Sequence, residues 1–410
     1  MRVLIVTQYF WPEEFRINDL ALGLKERGHQ VAVLTGKPNY PGGAFFPEYS
    51  FFARAREDYH GISVRRVPLI SRGNGKGLRL LLNYFSFAFL ASLLAPLLCR
   101  EKYDVIFVYQ PSPITVAIPA LLLRYLKRVP VILWVLDLWP ESLSATGAVR
   151  SRWVLSWVDR LVRVIYSRCD KILLSSRSFA GSIRQKNVPA DKLSYFPNSA
   201  EELYRPESLP ADAAERRLIP SGFNIIFAGN IGAAQDFETI LAAAEKLSAY
   251  PDIHWIILGD GRSRAWVDGQ VKDRSLSGQV HLLGRFSLEA MPRFFALADV
   301  LLVTLRKDPI FALTIPGKIQ SYLACAKPVV AALDGEGGRV IEEAGAGIAV
   351  PAGDTNALTN AILRMYRMTS EARQAMGRNG RLYYERHFDR EHLLDQLIQW
   401  GDMLAKKSGP

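Results

Sequence analysis

Short, unbroken apolar runs that alternate with helix-like segments limit the folds open to this chain more than any other feature. RVLIVT (2–7) leads into the helix-like NDLALGLKERG, with Gly28 as its natural stop, and then into QVAVLT (30–35). DVIFVY (104–109), PVILWVL (130–136) and KILLSS (171–176) continue the series. Runs that are apolar at every position suit parallel strands covered on both faces. Their alternation with helices implies a doubly wound α/β sheet. The rhythm lapses over FPNSAEELYRPESLPADAAE, which is rich in Pro, Ser and Glu, and restarts at Phe223 with FNIIFAG, IHWIILG, VHLLG, DVLLVTL and PVVAAL. A chain of 410 residues is also too long for one hydrophobic core. The pattern predicts two Rossmann-like domains, 1–197 and 198–385. A helical C-terminal segment, 386–410, is left with the option of packing back on the first.

With a formal charge of +11, the surface favours an anionic partner: nucleic acid, anionic lipid or a phosphorylated substrate. No contiguous basic tract stands out, which argues against nucleic acid. Cys99, Cys169 and Cys325 are widely spaced and odd in number, so a disulfide framework is not expected and a reducing, cytoplasmic setting fits. MRVLIVTQYF reads as a first strand rather than a signal peptide. Residues 80–99 carry no charge between Arg79 and Arg100, long enough to span a bilayer. They sit, however, between the strand-like ISVRRV (62–67) and DVIFVY, which a span would put on opposite sides of the membrane. The expectation is a crossover helix, or two helices broken near Pro96. Its surplus apolar surface, with Arg152, Arg160, Arg163 and Arg168, favours peripheral contact with the inner face of the cell membrane.

Ligands of open α/β sheets bind beyond the carboxyl ends of the strands. FAGNIGAAQDF (227–237) places Gly229 and Gly232 between a strand and a helix, where backbone N–H groups can approach a phosphate; a plain tight turn is the other reading. LGDGRSR (258–264) is a similar turn, with a structural role at least as natural as ligand contact. In the stretch 313–354, Pro316 and Gly317 precede a helix, so the amides from Gly317 to Gln320 are expected to be unpaired. Lys318 adds a cation at a helix start, where it is unfavourable unless an anion lies between. Asp334-Gly335-Glu336-Gly337-Gly338 opens a further helix after PVVAAL. In the first domain, YFWPEEFRIND offers Glu13, Glu14 and Arg16, and LDLWPESLSATG offers Asp137, a carboxylate that is costly to bury without a partner or a task. HExxH, CxxC, GxxxxGK[ST] and GxSxG are absent. No DxD occurs, so no metal site is expected, and none of the six scattered histidines is placed as a catalytic base.

Together, MRVLIVTQYFWPE, LKERGHQVAVLT, PNYPGG, DLWPESLSATG, FAGNIG, LGDG, PGKIQSYLACAKPVVA, DGEGG and GIAVPAGD resemble the family 4 glycosyltransferases of GT-B fold along nearly the whole chain. ERGHQVAVLT followed by PNYPGG is similar to a bacterial surface-polysaccharide subgroup that includes colanic-acid and N-acetyl-L-fucosamine transferases. The resemblance implies two Rossmann-like domains facing a cleft, with the nucleotide-sugar held mainly by the second. It implies retaining transfer without metal or cofactor, from a UDP-linked sugar such as UDP-N-acetyl-L-fucosamine to a polyprenyl-diphosphate-linked or oligosaccharide acceptor. Lys318 matches a donor-phosphate lysine, Arg285 and Phe286 match the loop whose backbone reads the base, and Asp137 matches the acidic or histidine position at the first-domain edge of the catalytic centre. The expected donor set is Gly229, Asn230, Gly232, Arg285, Phe286, Pro316, Gly317, Lys318, Ser321, Asp334 and Glu336, with Asp137 and Lys318 catalytic and Glu13, Glu14 and Arg16 toward the acceptor.

The chain departs from the family pattern in three places. The family's paired glutamates fall on Ser321 and near Leu313 or Thr314, its glycine-loop Arg and Lys fall near Asn230 and Gln235, and its first-domain glycines are Glu13 and Glu14. Lys318 therefore carries more of the positive charge. A GT-B nucleotide-sugar epimerase, or a membrane scaffold with a dead donor site, would share the fold. The apolar 80–99 run weighs against the first, and retention of Lys318 and the glycine loops against the second.

Overall fold

The computed structural model describes residues 1–75, 77–145, 149 and 151–407. They form two compact units, one of Met1–Pro197 with Glu391–Pro410 and one of Asn198–Arg390.

The first unit is built on an eight-stranded sheet. Its strands are β1 (Arg2–Val6), β2 (Gln30–Gly36), β3 (Arg56–Tyr59), β4 (Ile62–Val67), β5 (Val105–Gln110), β6 (Val131–Val135), β7 (Lys171–Leu174) and β8 (Leu193–Tyr195). They lie in the order β3-β4-β2-β1-β5-β6-β7-β8, parallel except for the antiparallel β3–β4 pair at one edge. Strand order reverses between β1 and β5, so the crevice of this sheet opens there. The second unit carries β9 (Phe223–Ala228), β10 (Ile253–Leu258), β11 (Val280–Gly284), β12 (Val300–Thr304), β13 (Val329–Ala332) and β14 (Gly347–Val350). Their order is β11-β10-β9-β12-β13-β14, all parallel, with the reversal between β9 and β12. β6, β9, β10 and β12 are buried at every position, as their unbroken apolar runs require.

The uncharged segment is one helix, Gly77–Leu98, joining β4 to β5 of the same sheet. It is not broken at Pro96. That residue lies in the last turn, where a missing N–H forfeits a single bond, and the Cys99 N–H still reaches the Ala95 carbonyl at 2.8 Å. Tyr84, Phe87, Ala88, Ala91 and Ala95 bury one face of this helix.

The segment expected to begin at 386 instead leaves the second unit after residue 390, because Ser370–His387 is one continuous helix packed on Gly317–Ala324. The terminal helix, Arg390–Lys407, buries Leu393, Leu394 and Leu397 in the same core as β1 and β2, and Glu391 pairs with Arg27 at 2.6 Å.

Candidate functional site

In the second unit the glycine loops converge at the carboxyl ends of β9 and β10. Gly229 and Gly259 each take φ of +143°, a region closed to side chains that carry a Cβ. The two loops run backbone against backbone: the Ile231 N–H reaches the Asp260 carbonyl at 2.9 Å, and the Ser263 N–H reaches the Ile231 carbonyl at 3.0 Å. A Cβ at Gly259 would collide with the Gly229 carbonyl, and one at Gly261 with the Ile231 carbonyl. LGDG is therefore a prop beneath the Gly229–Gly232 turn, the structural one of its two readings.

Lys318 stands against this turn. It lies at the start of the helix Gly317–Ala324, and its Nζ donates to Gln235 Oε1 at 2.7 Å and sits 3.7 Å from the centre of the Phe227 ring. A Cβ on Gly229 would come within 3.2 Å of the same nitrogen. Burial pushes the ammonium down to about 7. Among the described residues no carboxylate contributes to that shift, so the charge lacks a counter-ion there that would make its burial cheap.

The run of unpaired amides is shorter than expected. The helix closes its first turn tightly, and the Ile319 N–H is taken by the Pro316 carbonyl at 2.9 Å. Gly337 packs on Pro316, bringing the start of the helix Glu336–Glu343 alongside. The two acidic residues expected at the donor are committed within the fold. Asp334 Oδ1 accepts the Ala352 N–H at 3.0 Å, and the buried Glu336 carboxylate pairs with Arg339 at 2.5 Å. Ser321 is buried on the helix behind Lys318. Asn230 is exposed on the glycine turn, and so is Arg285 after β11, while the Phe286 ring packs on Phe294 at 4.5 Å and holds its loop down.

Two further cations at this edge were not anticipated. Arg264 opens the helix Arg264–Asp273 with Nη1 3.4 Å from the Gly259 carbonyl, beside Gly284. Arg306 is exposed just past β12, and its N–H donates to the Ala234 carbonyl of the glycine loop at 2.9 Å. The available signal was position: each follows a strand of the sheet within a few residues, on the ligand-binding side.

In the first unit Asp137 follows β6. Its carboxylate accepts from Trp139 Nε1 at 3.1 Å, yet burial pushes it up to about 6. Thr146 and Gly147, the end of its loop, lie outside the described residues.

Glu13 corrects an expectation. It is 2% exposed and faces inward, accepting the N–H groups of Phe10 (3.2 Å), Asn39 (2.9 Å) and Tyr40 (2.8 Å). Burial pushes its carboxyl up to about 7 against these bonds and the nearby Arg66. Glu13 thus ties the loop after β1 to the loop after β2, buried away from where an acceptor could reach it. Glu14 is exposed, and Arg16 is half-buried where the helix Ile17–Glu26 begins. Among the described residues, no three His, Cys, Asp or Glu side chains are grouped to hold a metal ion.

Both halves match glycosyltransferase models: residues 14–199 the Glycosyl transferase 4-like domain, residues 222–368 the Glycosyl transferases group 1. The chain belongs to the family 4 glycosyltransferases. This glycosyltransferase is 26% identical over 413 residues to the colanic acid biosynthesis glycosyl transferase WcaI of Escherichia coli strain K12, covering 97% of this chain and 99% of that protein. Its fold is similar to that of HepE of Anabaena, crystallised with UDP, at a TM-score of 0.71 and 17% identity over 98% of this chain and 100% of that one. Sucrose-phosphate synthase of Thermosynechococcus elongatus gives a TM-score of 0.73 at 18% identity, over 98% of each chain. The fold is GT-B, and the family matches favour glycosyl transfer over the epimerase reading.

Proposed function

We propose that this glycosyltransferase moves a sugar, with retention of configuration, from a UDP-sugar to a polyprenyl-diphosphate-linked or oligosaccharide acceptor during bacterial surface-polysaccharide assembly in the cytoplasm. An N-acetylated deoxyhexose, such as that of UDP-N-acetyl-L-fucosamine, is the sugar class. The observation that carries the reading is Lys318: a half-buried ammonium with no counter-ion among the described residues, held against a glycine turn at the switch point of the sheet. As the glycosidic bond breaks, the departing diphosphate gains charge, and a preorganised cation there binds the transition state better than the ground state. The UDP bound by HepE supports uridine, and the name of the E. coli relative supports the polysaccharide. UDP is expected to raise the melting temperature more than GDP at equal concentration; a larger shift with GDP would overturn the choice of base.

The same reading puts the enzyme on the inner membrane face. Among the described residues one helix, Gly77–Leu98, is long and apolar enough to cross a membrane. Its two ends, however, feed strands of one sheet. The helix Ala117–Lys127 packs between it and Arg152–Arg168, which exposes Trp153 and Trp157 with Arg160 over the Trp157 ring at 5.5 Å. Aromatic and cationic side chains together suit an anionic interface. Vesicles containing phosphatidylglycerol are expected to carry the protein up a flotation gradient, and Phe85→Ser with Phe89→Ser to abolish this. Equal flotation of that double variant would remove the helix from the contact.

A further inference from the structure

We propose that Arg72 binds the phosphate of an amphiphilic acceptor whose hydrocarbon chain lies along the exposed stripe of the helix Gly77–Leu98. This rests on the glycosyltransferase reading and deepens it by naming the acceptor class: a lipid phosphate or diphosphate bearing the sugar to be extended.

Arg72 lies past the carboxyl end of β4. Its guanidinium stacks over the Tyr40 ring at 4.8 Å, lies 5.9 Å from the Tyr9 ring and donates from Nη1 to the Tyr9 hydroxyl at 3.3 Å. Its backbone N–H donates to Asn39 Oδ1 at 3.1 Å. The rings are themselves fixed: Tyr9 stacks on Phe15 at 4.9 Å, and Tyr40 meets Phe15 at 5.2 Å. The arginines of β4 are spent on carboxylates, Arg65 on Glu101 and Arg66 on Glu57. Among the described residues no carboxylate pairs with Arg72 in the same way. A guanidinium set over one ring and hydrogen-bonded to the hydroxyl of another, with N–H donors left over, is preorganised for the oxygens of a phosphate.

The group is also near the chemistry. Tyr84 faces Tyr9 closely enough to help raise its hydroxyl, and the Tyr84 ring lies 6.3 Å from that of Trp139, which donates to Asp137. Arg72 and the carboxyl of Asp137 thus belong to one cluster on the carboxyl edge of the first sheet.

The lipid follows from what adjoins this cluster. Asn83, fully buried on the helix Gly77–Leu98, donates to the Ile70 carbonyl at 2.6 Å and to Asn39 Oδ1 at 3.3 Å, and accepts from Gln8 Nε2 at 2.7 Å. Arg72 and the first turns of the helix are therefore pinned to the same loops. From there Leu78, Leu82, Phe85, Phe89, Leu93 and Leu97 run down the exposed face at helical spacing. A cation at the head of an apolar stripe matches an amphiphile with an anionic head.

Binding is measured with UDP saturating, so that the donor site is filled, using farnesyl diphosphate, inorganic diphosphate and farnesol as probes. Farnesyl diphosphate is expected to bind more tightly than either other probe. Arg72→Gln should weaken it by about tenfold or more, as for loss of a hydrogen-bonded charge, with UDP affinity unchanged. Arg72→Lys should fall between, and farnesol should not respond to either variant. Wild-type affinity for farnesyl diphosphate in Arg72→Gln and Arg72→Lys alike would overturn the assignment. Inorganic diphosphate binding as tightly as farnesyl diphosphate would overturn the lipid and leave a free phosphate as the ligand. Failure of the wild-type protein to bind UDP would instead count against the donor reading, and the farnesyl diphosphate comparison is then made without UDP.

Discussion

Lys318→Ala is expected to lower kcat by about 2–4 kcal/mol, the range for removing one preorganised stabiliser of developing charge, while the melting temperature holds or rises. The loss follows from position: the ammonium is the cation in contact with both the glycine turn, through Gln235, and the start of its own helix. The unchanged stability follows from energetics. A lysine at a helix start opposes the dipole. Burial also lowers this one from 10.5 to about 7, so between those values the unfolded chain holds a proton that the native protein does not. Native stability therefore rises with pH across that window, and below pH 7 the full cost of burying the charge is present. Removing the side chain removes that cost. An anionic diphosphate favours the charged form, so above about pH 7 UDP should bind with uptake of a proton and weaken as pH rises. Calorimetry in buffers of different ionisation enthalpy reads the uptake, which Lys318→Ala should abolish. Lys318→Arg should restore only part of the rate, because a planar fork does not replace a compact charge. A near-wild-type kcat in Lys318→Ala would move the burden to Arg264, Arg285 and the backbone amides.

What could be read in the sequence, and what could not, divides along physical lines. β1, β6, β9 and β12 were legible because parallel strands covered on both faces must be apolar throughout. β3, with the sequence REDY, was not expected, since an edge strand tolerates charge at nearly every position and shows no apolar period. Lys318 was legible because its charge conflicts with the helix it starts. Glu13 was misread because the amides of Asn39 and Tyr40, which it satisfies, come from a separate loop; nothing local distinguishes a carboxylate that clamps two loops from one that faces a ligand. The partners of Asp334 and Glu336, Ala352 and Arg339, could not be read for a related reason: they are ordinary neighbours that only the folded chain brings into register. Arg72 and Arg264 escaped notice because an arginine in a loop is common, and only the rings around one and the glycine carbonyl beside the other set them apart.

Asp137→Asn separates a catalytic carboxyl from a structural one, because the two predict opposite signs. The amide is nearly the same shape, and its oxygen can still accept from Trp139, so the loop should keep its form. Burial raises the carboxyl from 3.8 to about 6 in the native protein. Between those values the native protein holds the extra proton, so stability falls as pH rises through the window, and above pH 6 the whole cost of the buried charge is present. An uncharged asparagine escapes that cost, and the variant is expected to gain stability on the order of 2 kcal/mol above pH 6, vanishing below pH 4. Its kcat should nevertheless fall by about 10²–10⁴, the span for a group that moves a proton or meets developing charge. In the wild type, kcat/KM should climb through pH 6 as the carboxylate forms, and that limb should be missing in the variant. A melting temperature that rises while activity is lost is the signature of a charge retained for chemistry at the expense of the fold. If Asp137→Asn melts lower and turns over at close to the wild-type rate, the carboxylate is only a cap for its own loop, and the catalytic assignment falls.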